Sequence, residues 1–260
     1  MECRFSSLIV DQFPCLSDNY GFLLHDTRTG LTATVDTPQH TAITERLTER
    51  GWSLDIILNT HWHFDHTGGN LALKKHFGCE IIGPEAEGDR IPGRDRAIKD
   101  GDRLTFGESP VEVIGTPGHT KGHVIFYFPE EGIAFVGDTL FSLGCGRLFE
   151  GDPAQMWQSL SRLRALPEDT VLFCAHEYSA ANARFALSLG LDNSALTARA
   201  AAIFAARDRD EPTVPIKLGD EKAANPFLRA DDPALAAAIG CPNAAPAEVF
   251  GEVRARKDRF

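Results

Sequence analysis

Eleven consecutive residues carry the strongest signal in this chain: Thr60-His61-Trp62-His63-Phe64-Asp65-His66-Thr67-Gly68-Gly69-Asn70. They contain four potential metal ligands and follow the short apolar run Leu54–Asn59, which is typical of a buried strand. Because His61 and His63 are two residues apart, they point to the same side of an extended chain. The two glycines permit tight backbone geometry where the chain must turn. Imidazole and carboxylate are ligands that zinc and related metals prefer, so this stretch predicts a metal site.

Three further potential ligands each follow a separate apolar run. His119 comes after Val111–Thr116, Asp138 directly follows Ile133–Gly137, and His176 directly follows the run that ends at Ala175. Polar residues at the ends of neighbouring strands can converge at one edge of a sheet. With the loop they supply seven ligands, enough to give two metal ions three or four each: His61, His63, Asp65, His66, His119, Asp138 and His176.

The distribution of strand and helix signals along the chain predicts two parts. Short apolar and alternating runs dominate up to Ala175, whereas alanine-rich helical patterns dominate afterwards. This order indicates an α+β protein with a two-layer β core followed by a smaller helical domain, with the boundary near residue 177. The second half of the core shows no strict alternation of strands and helices, which disfavours a doubly wound parallel sheet.

Composition narrows the classes of function. The chain has 260 residues, 43% of them hydrophobic, and no apolar run approaches the roughly 18 residues that span a bilayer. The start, Met1–Phe5, lacks the basic and apolar regions of a signal peptide. The six cysteines are scattered without a CxxC pair, which favours reduced thiols and a cytoplasmic location. A net charge of −11 disfavours nucleic acid or an anionic membrane as a partner.

The ligand pattern resembles the metallo-β-lactamase superfamily, and longer stretches resemble its glyoxalase II (hydroxyacylglutathione hydrolase) members. The likeness runs from about residue 8 to the C-terminus. Besides the metal loop, the matching stretches are Asp18–Tyr20, Gly118–His123, Gly137–Phe141, Gly144–Gly151, His176–Tyr178, Asn225–Arg229 and Lys257–Phe260. The resemblance implies an αββα sandwich at residues 1–177 and a helical domain at 178–260 that contributes to the glutathione site.

The same resemblance implies roles for individual residues. One metal ion is expected on His61, His63 and His119, a second on Asp65, His66 and His176, with Asp138 bridging them; Asp65 and Asp138 are the expected catalytic residues. Glutathione is expected to contact Arg147, Tyr178, Arg254 and Lys257. The chain departs from the family at two positions. Trp62 stands where many members have a histidine that is not a ligand, and Phe149 replaces a tyrosine that contacts glutathione in some members.

The expected activity is hydrolysis of the thioester of S-(2-hydroxyacyl)glutathione, such as S-D-lactoylglutathione, by a hydroxide that bridges two divalent metal ions. Zinc is the expected metal, and iron or manganese would suit the same nitrogen and oxygen ligands. A thiolate leaves readily because a free thiol has a pKa of about 8.5, so no strong general acid is needed. A cytoplasmic monomer that binds a small molecule is expected, with neither nucleic acid nor membrane as partner.

Other functions share the metal loop. A β-lactamase or lactonase would lack the helical C-terminal part, and a tRNA-processing nuclease would not suit the net charge. A diiron oxidoreductase of this fold typically has glutamate at the position of His63. A persulfide dioxygenase would use fewer of the ligands, and a metal-binding module without activity is the remaining alternative. Hydrolysis of a glutathione thioester separates the expected activity from all of these.

Overall fold

The computed structural model describes all 260 residues and divides into two compact units. The first unit comprises Met1–Gly115 and Lys121–Gly137; the second comprises Thr116–Thr120 and Asp138–Phe260. No helix is long and apolar enough to cross a membrane.

The first unit contains eleven strands, three α-helices and a 3-10 helix at Glu85–Arg90. The strands are β1 (Glu2–Arg4), β2 (Leu8–Cys15), β3 (Asn19–Asp26), β4 (Thr32–Val35), β5 (Ile56–Leu58), β6 (Glu80–Pro84), β7 (Arg96–Ile98), β8 (Arg103–Phe106), β9 (Ser109–Gly115), β10 (Val124–Phe128) and β11 (Ile133–Gly137). The helices are α1 (His40–Arg50), α2 (Phe64–Thr67) and α3 (Asn70–Phe77).

Strands β1 to β7 form one sheet in sequence order. The first four strands pair antiparallel, whereas β4 to β7 pair parallel. A parallel connection needs a crossover, and α1 and α3 provide the crossovers that follow β4 and β5. Their apolar faces bury Ile43, Leu47 and Leu73 in one cluster with Ile57 and Ile81 of the sheet. Helices therefore cover one face of the mixed sheet.

Strands β8 to β11 form an antiparallel meander. Strands β10 and β11 are buried on both faces. Their sequences are therefore continuous apolar runs and do not alternate between apolar and polar residues. The rings of Phe22 in β3 and Phe135 in β11 meet edge to face at 5.6 Å. The meander therefore packs against the mixed sheet, which gives the first unit a helix layer and two β layers.

The second unit contains six helices and four short strands. The helices are α4 (Pro153–Arg164), α5 (Ser179–Ser188), α6 (Ser194–Arg207), α7 (Leu218–Ala224), α8 (Pro233–Ala238) and α9 (Pro246–Arg259). The strands are β12 (Leu140–Phe141), β13 (Gly144–Cys145), β14 (Val171–Cys174) and β15 (Ile216–Lys217).

Local sequence explains where several of these helices begin. Asp152 and Asn193 accept hydrogen bonds from backbone amides in the first turns of α4 and α6, which satisfies donors that a helix start otherwise leaves unpaired. The helices bury a common core in which the rings of Phe185, Phe227 and Phe250 are in contact. From residue 178 onward the elements are helices apart from the short strand β15. The sequence signals did not predict α7, β15 or the short pair β12–β13.

Candidate metal centre and substrate site

The ligand loop, Thr60–Asn70, leaves β5 extended and then closes into the single turn of α2. His63 is the residue before that helix, with a ψ of 148°. Gly68 and Gly69 have ordinary helical φ values of −61° and −85°. Space is the reason for both glycines, since a Cβ would lie 2.7 Å from Phe64 O at Gly68 and 3.0 Å from Thr37 O at Gly69. The tight geometry predicted for the two glycines is therefore a close approach of neighbouring backbone atoms, not an unusual φ value.

Donor atoms in the ligand loop lie in pairs. Nε2 of His61 is 3.1 Å from Nδ1 of His63, and Nε2 of His66 is 3.5 Å from Oδ2 of Asp65. Two ligands at ordinary bond lengths from one tetrahedral zinc ion lie roughly 3.3–3.6 Å apart. The separations in the loop therefore suit pairs of ligands that share a metal ion.

Hydrogen bonds select the nitrogen that His61 and His66 can each offer to a metal. The hydroxyl of Thr60 donates to Asp36 Oδ2 at 2.8 Å and so accepts from His61 Nδ1 at 3.0 Å. Nδ1 of His66 donates to the same Asp36 oxygen at 2.8 Å. Both rings are thereby held in the tautomer that presents Nε2 as a ligand.

Asp36 is a site residue that the sequence analysis did not identify. It is buried, has a left-handed φ of 57°, and also accepts from the backbone amide of Thr60 at 2.8 Å. The only signal was its place as a polar residue at the end of an apolar strand. Asp36 also belongs, with His61 and His66, to a group whose potential ligand atoms lie within 4.8 Å of one another.

Asn19 supports Asp65, the carboxylate ligand of the loop. Its side-chain amide donates to Asp65 Oδ2 at 3.1 Å and to the Asp65 carbonyl at 3.3 Å. One amide thus contacts both the carboxylate and the backbone carbonyl of Asp65, which helps to orient this side chain. This contact gives a physical reason for the Asp18–Tyr20 stretch noted in the sequence.

The second unit contributes a compact group of His119, Asp138 and His176, all buried. Nε2 of His119 lies 3.2 Å from Oδ2 of Asp138, whereas Nε2 of His176 lies 3.4 Å from Oδ1. Each carboxylate oxygen therefore faces a different histidine, as expected for a carboxylate that serves two metal ions. Nδ1 of His119 donates to the Arg147 carbonyl at 2.8 Å, which leaves Nε2 as the ligand atom.

The donor set fits divalent metal ions. It combines imidazole nitrogens and carboxylate oxygens, most of them buried, at separations of 3.1–3.5 Å. Without a metal, buried carboxylates and imidazoles packed this closely would be costly. His123, which the sequence suggested only as a supporting residue, stacks its buried ring on that of His61 at 4.9 Å.

Arg147, Arg254 and Lys257 form a cationic cluster in the second unit. Arg254 is buried and donates to Asp258 at 2.8 Å and to the Cys145 carbonyl at 3.0 Å. Arg147 is exposed and lies 3.4 Å from the same Asp258 carboxylate. Nζ of Lys257 donates to the Ala181 carbonyl at 3.2 Å, and burial lowers its pKa. One carboxylate thus offsets part of a local positive charge in an acidic protein.

Tyr178, one of the predicted substrate residues, lies beside the predicted metal ligand His176. Its ring stacks on that of His176, with centroids 4.6 Å apart and planes 5° apart, and 37% of the residue is exposed. Phe149, which replaces a tyrosine of some family members, is 59% exposed and meets His119 edge to face at 5.3 Å. Both aromatic residues therefore lie beside metal-ligand candidates with surface open to solvent.

Comparison with known proteins places the chain in a family. Residues 29–176 match the family model of the metallo-beta-lactamase superfamily, and residues 177–260 match that of the hydroxyacylglutathione hydrolase C-terminus. The chain is 54% identical over 255 residues to a hydroxyacylglutathione hydrolase of Maricaulis maris, and the alignment covers 98% of this chain and 100% of the relative. The chain belongs to the hydroxyacylglutathione hydrolase family.

Further comparisons agree with this placement. A hydroxyacylglutathione hydrolase of Erythrobacter litoralis is 53% identical and covers 97% of this chain and 100% of the relative. Among solved structures, ETHE1 from Myxococcus xanthus aligns with a TM-score of 0.68 and 21% identity over 95% of this chain and 89% of that one. At that identity the structural likeness shows the fold alone, and the predicted metallo-β-lactamase fold with a helical C-terminal part is confirmed.

Proposed function

We propose that this protein hydrolyses the thioester of S-(2-hydroxyacyl)glutathione, such as S-D-lactoylglutathione, to glutathione and a 2-hydroxy acid. This reaction is the second step of methylglyoxal detoxification. The observation that carries the proposal is 54% identity to a hydroxyacylglutathione hydrolase along that relative's whole length. The match extends through the C-terminal family model, where Arg254 and Lys257 of the cationic cluster lie. A β-lactamase, a lactonase or a persulfide dioxygenase would not account for that match.

The proposed cofactors are two divalent metal ions. Zinc is the preferred candidate, and iron and manganese are the alternatives. One ion would be held by His61, His63 and His119. The other would be held by Asp65, His66 and His176, and Asp138 would bind both ions. Within each unit, the paired ligand atoms of these residues lie 3.1–3.5 Å apart, which supports their sharing of metal ions. When bound, such ions supply a hydroxide nucleophile at neutral pH and positive charge for the carbonyl oxygen of the substrate.

The residues of this protein would perform three tasks in the reaction. Asp36 and the Arg147 carbonyl hold imidazoles in the ligand tautomer, so no proton has to move before substrate binds. Arg254 and Lys257, together with Arg147 and Tyr178, would bind the polar groups and carboxylates of glutathione. Asp65 and Asp138 complete the catalytic set as ligands. The departing glutathione thiolate needs no strong acid, because its free pKa is about 8.5.

We further propose that residues 1–177 form the catalytic domain and that residues 178–260 form a helical domain contributing to the glutathione site. The protein would act as a cytoplasmic monomer on a small substrate, without nucleic acid or membrane as partner. Six free cysteines suit a reducing compartment, and the net charge of −11 suits a small-molecule enzyme better than one that binds nucleic acid.

The test is a thiol-release assay with the purified, metal-loaded protein. We expect rapid release of glutathione from S-D-lactoylglutathione and little turnover of a β-lactam, a homoserine lactone or glutathione persulfide. Oxygen consumption with the persulfide, or lactone opening, in the absence of thioester hydrolysis would assign one of the alternative functions instead.

A further inference from the structure

The hairpin Leu140–Cys145 connects two functional positions. Asp138 lies two residues before it and Arg147 two residues after it, and Arg147 supplies the carbonyl that orients His119. All six hairpin residues are buried, and Leu143 at its tip has a left-handed φ of 54°. A buried turn of this kind must find partners for its backbone polar groups or lose stability.

Glu221 on α7 provides several of those partners. It is fully buried, and its carboxylate accepts from the backbone amide of Leu143 at 2.8 Å and from the hydroxyl of Ser142 at 3.1 Å. Nε of Arg199 lies 3.7 Å from the same carboxylate. Burial raises the pKa of Glu221, so holding the charge there costs free energy that the hydrogen bonds offset.

Asn225, one turn after Glu221, holds both strands of the hairpin. Its amide nitrogen lies 3.1 Å from the Phe141 carbonyl and 3.0 Å from the Gly144 carbonyl, and it also contacts Glu221 at 2.9 Å. From α5, Asn182 donates to the Ser142 carbonyl at 3.1 Å. The hairpin is therefore bound through its amide, its carbonyls and a hydroxyl by the three side chains of Glu221, Asn225 and Asn182.

We propose that Glu221, with Asn225, is a positioning residue for the reaction. By fixing the hairpin it would set the position of the Arg147 side chain, which binds substrate, and of the Arg147 carbonyl, which orients His119. Through the Cys145 carbonyl, it also sets one of the contacts of Arg254. The inference rests on the proposed function for its kinetic part, whereas its structural part stands on the hairpin contacts alone.

Replacement of Glu221 by leucine tests the proposal, because leucine fills similar volume and accepts no hydrogen bond. We expect KM for S-D-lactoylglutathione to rise about tenfold in Glu221→Leu at a temperature where the protein is fully folded, with partial rescue in Glu221→Gln. Hydrogen exchange should accelerate in residues 139–147 and stay unchanged in β2 and β3. Glu168→Leu is the matched control, since Glu168 is exposed and pairs with Lys222 of the same helix α7. That control should keep the normal KM.

Asn225→Asp gives a second route if Glu221→Leu fails to fold, since it keeps the shape but removes the amide donor; the same rise in KM is expected. An unchanged KM together with unchanged exchange in residues 139–147 would overturn the proposal. So would exchange that accelerates throughout the second unit, because that result indicates a purely structural role. If the unaltered protein releases no glutathione, the proposed function fails, whereas the exchange measurement still decides whether Glu221 holds the hairpin.

Discussion

The ligand loop and the cationic cluster are built in opposite ways. The ligand loop places four ligands within six residues, and their orientation depends on nearby Thr60 and on Asp36. The cationic cluster takes Arg147 from the chain after the hairpin and Arg254 and Lys257 from α9, about a hundred residues later. Four of the seven proposed ligands therefore come from one short motif, whereas the proposed substrate residues come together only in the completed fold.

The largest effect is expected where one side chain faces two ligands. Asp138→Ala should lower turnover by at least about a hundredfold and should reduce metal content at both positions, because each carboxylate oxygen faces a different histidine. Metal analysis beside steady-state kinetics measures both effects. His176→Ala is the comparison variant, and it should weaken chiefly one position. Full metal content and activity in Asp138→Ala would remove the bridging role.

The cationic cluster is expected to affect binding rather than chemistry. Losing a charge-assisted hydrogen bond costs roughly 1.5–3 kcal/mol, so Arg254→Ala/Lys257→Ala should raise KM for S-D-lactoylglutathione about ten- to a hundredfold. Turnover of a small thioester without the glutathione part should barely change.

Arg256→Ala on the same helix is the matched control, since Arg256 bonds to Glu252 and to the Ile239 carbonyl and lies outside the cluster. If the double variant loses activity equally on both substrates, the C-terminal helix supports the fold instead of selecting glutathione.

Asp36 extends the comparison to a residue that supports the ligand loop. Asp36→Asn can turn an amide donor toward His66 Nδ1 and disturb its tautomer, so we expect metal affinity to fall about tenfold. Competition with a chromophoric chelator measures the affinity directly. Asp55→Asn serves as control because Asp55 bonds to the amide of Thr32 and to no histidine. Equal affinity in both variants would mean that Asp36 only shapes the backbone.

The smallest effect is expected at Cys145. Burial raises the pKa of its thiol to about 11, so it is neutral at physiological pH and a poor nucleophile. Cys145→Ala should therefore keep most of the turnover in the thiol-release assay, with a modest loss from repacking beside Arg254. Complete inactivation with metals still bound would contradict a mechanism that depends on the metal ligands alone.

Short patterns in the sequence are enough to nominate the proposed ligands, because each follows an apolar run or lies in the loop Thr60–Asn70. Asp36 could not be nominated in this way, because its bond to His66 joins residues 30 positions apart and depends on how β4 and the ligand loop meet. Glu221 could not either, since its sequence context is that of an ordinary acidic helix residue, and only its burial against the hairpin reveals a role.

The proposed difference in role between the ligand loop and the cationic cluster is tested most directly by comparing kcat/KM for two thioesters that carry the same acyl group. The purified, metal-loaded protein should hydrolyse S-D-lactoylglutathione with a kcat/KM about a hundredfold above that for the lactoyl thioester of a small thiol, and the difference should lie in KM. That result would show that the ligand loop performs the chemistry and the cationic cluster selects glutathione. Equal kcat/KM for the two thioesters would contradict this account.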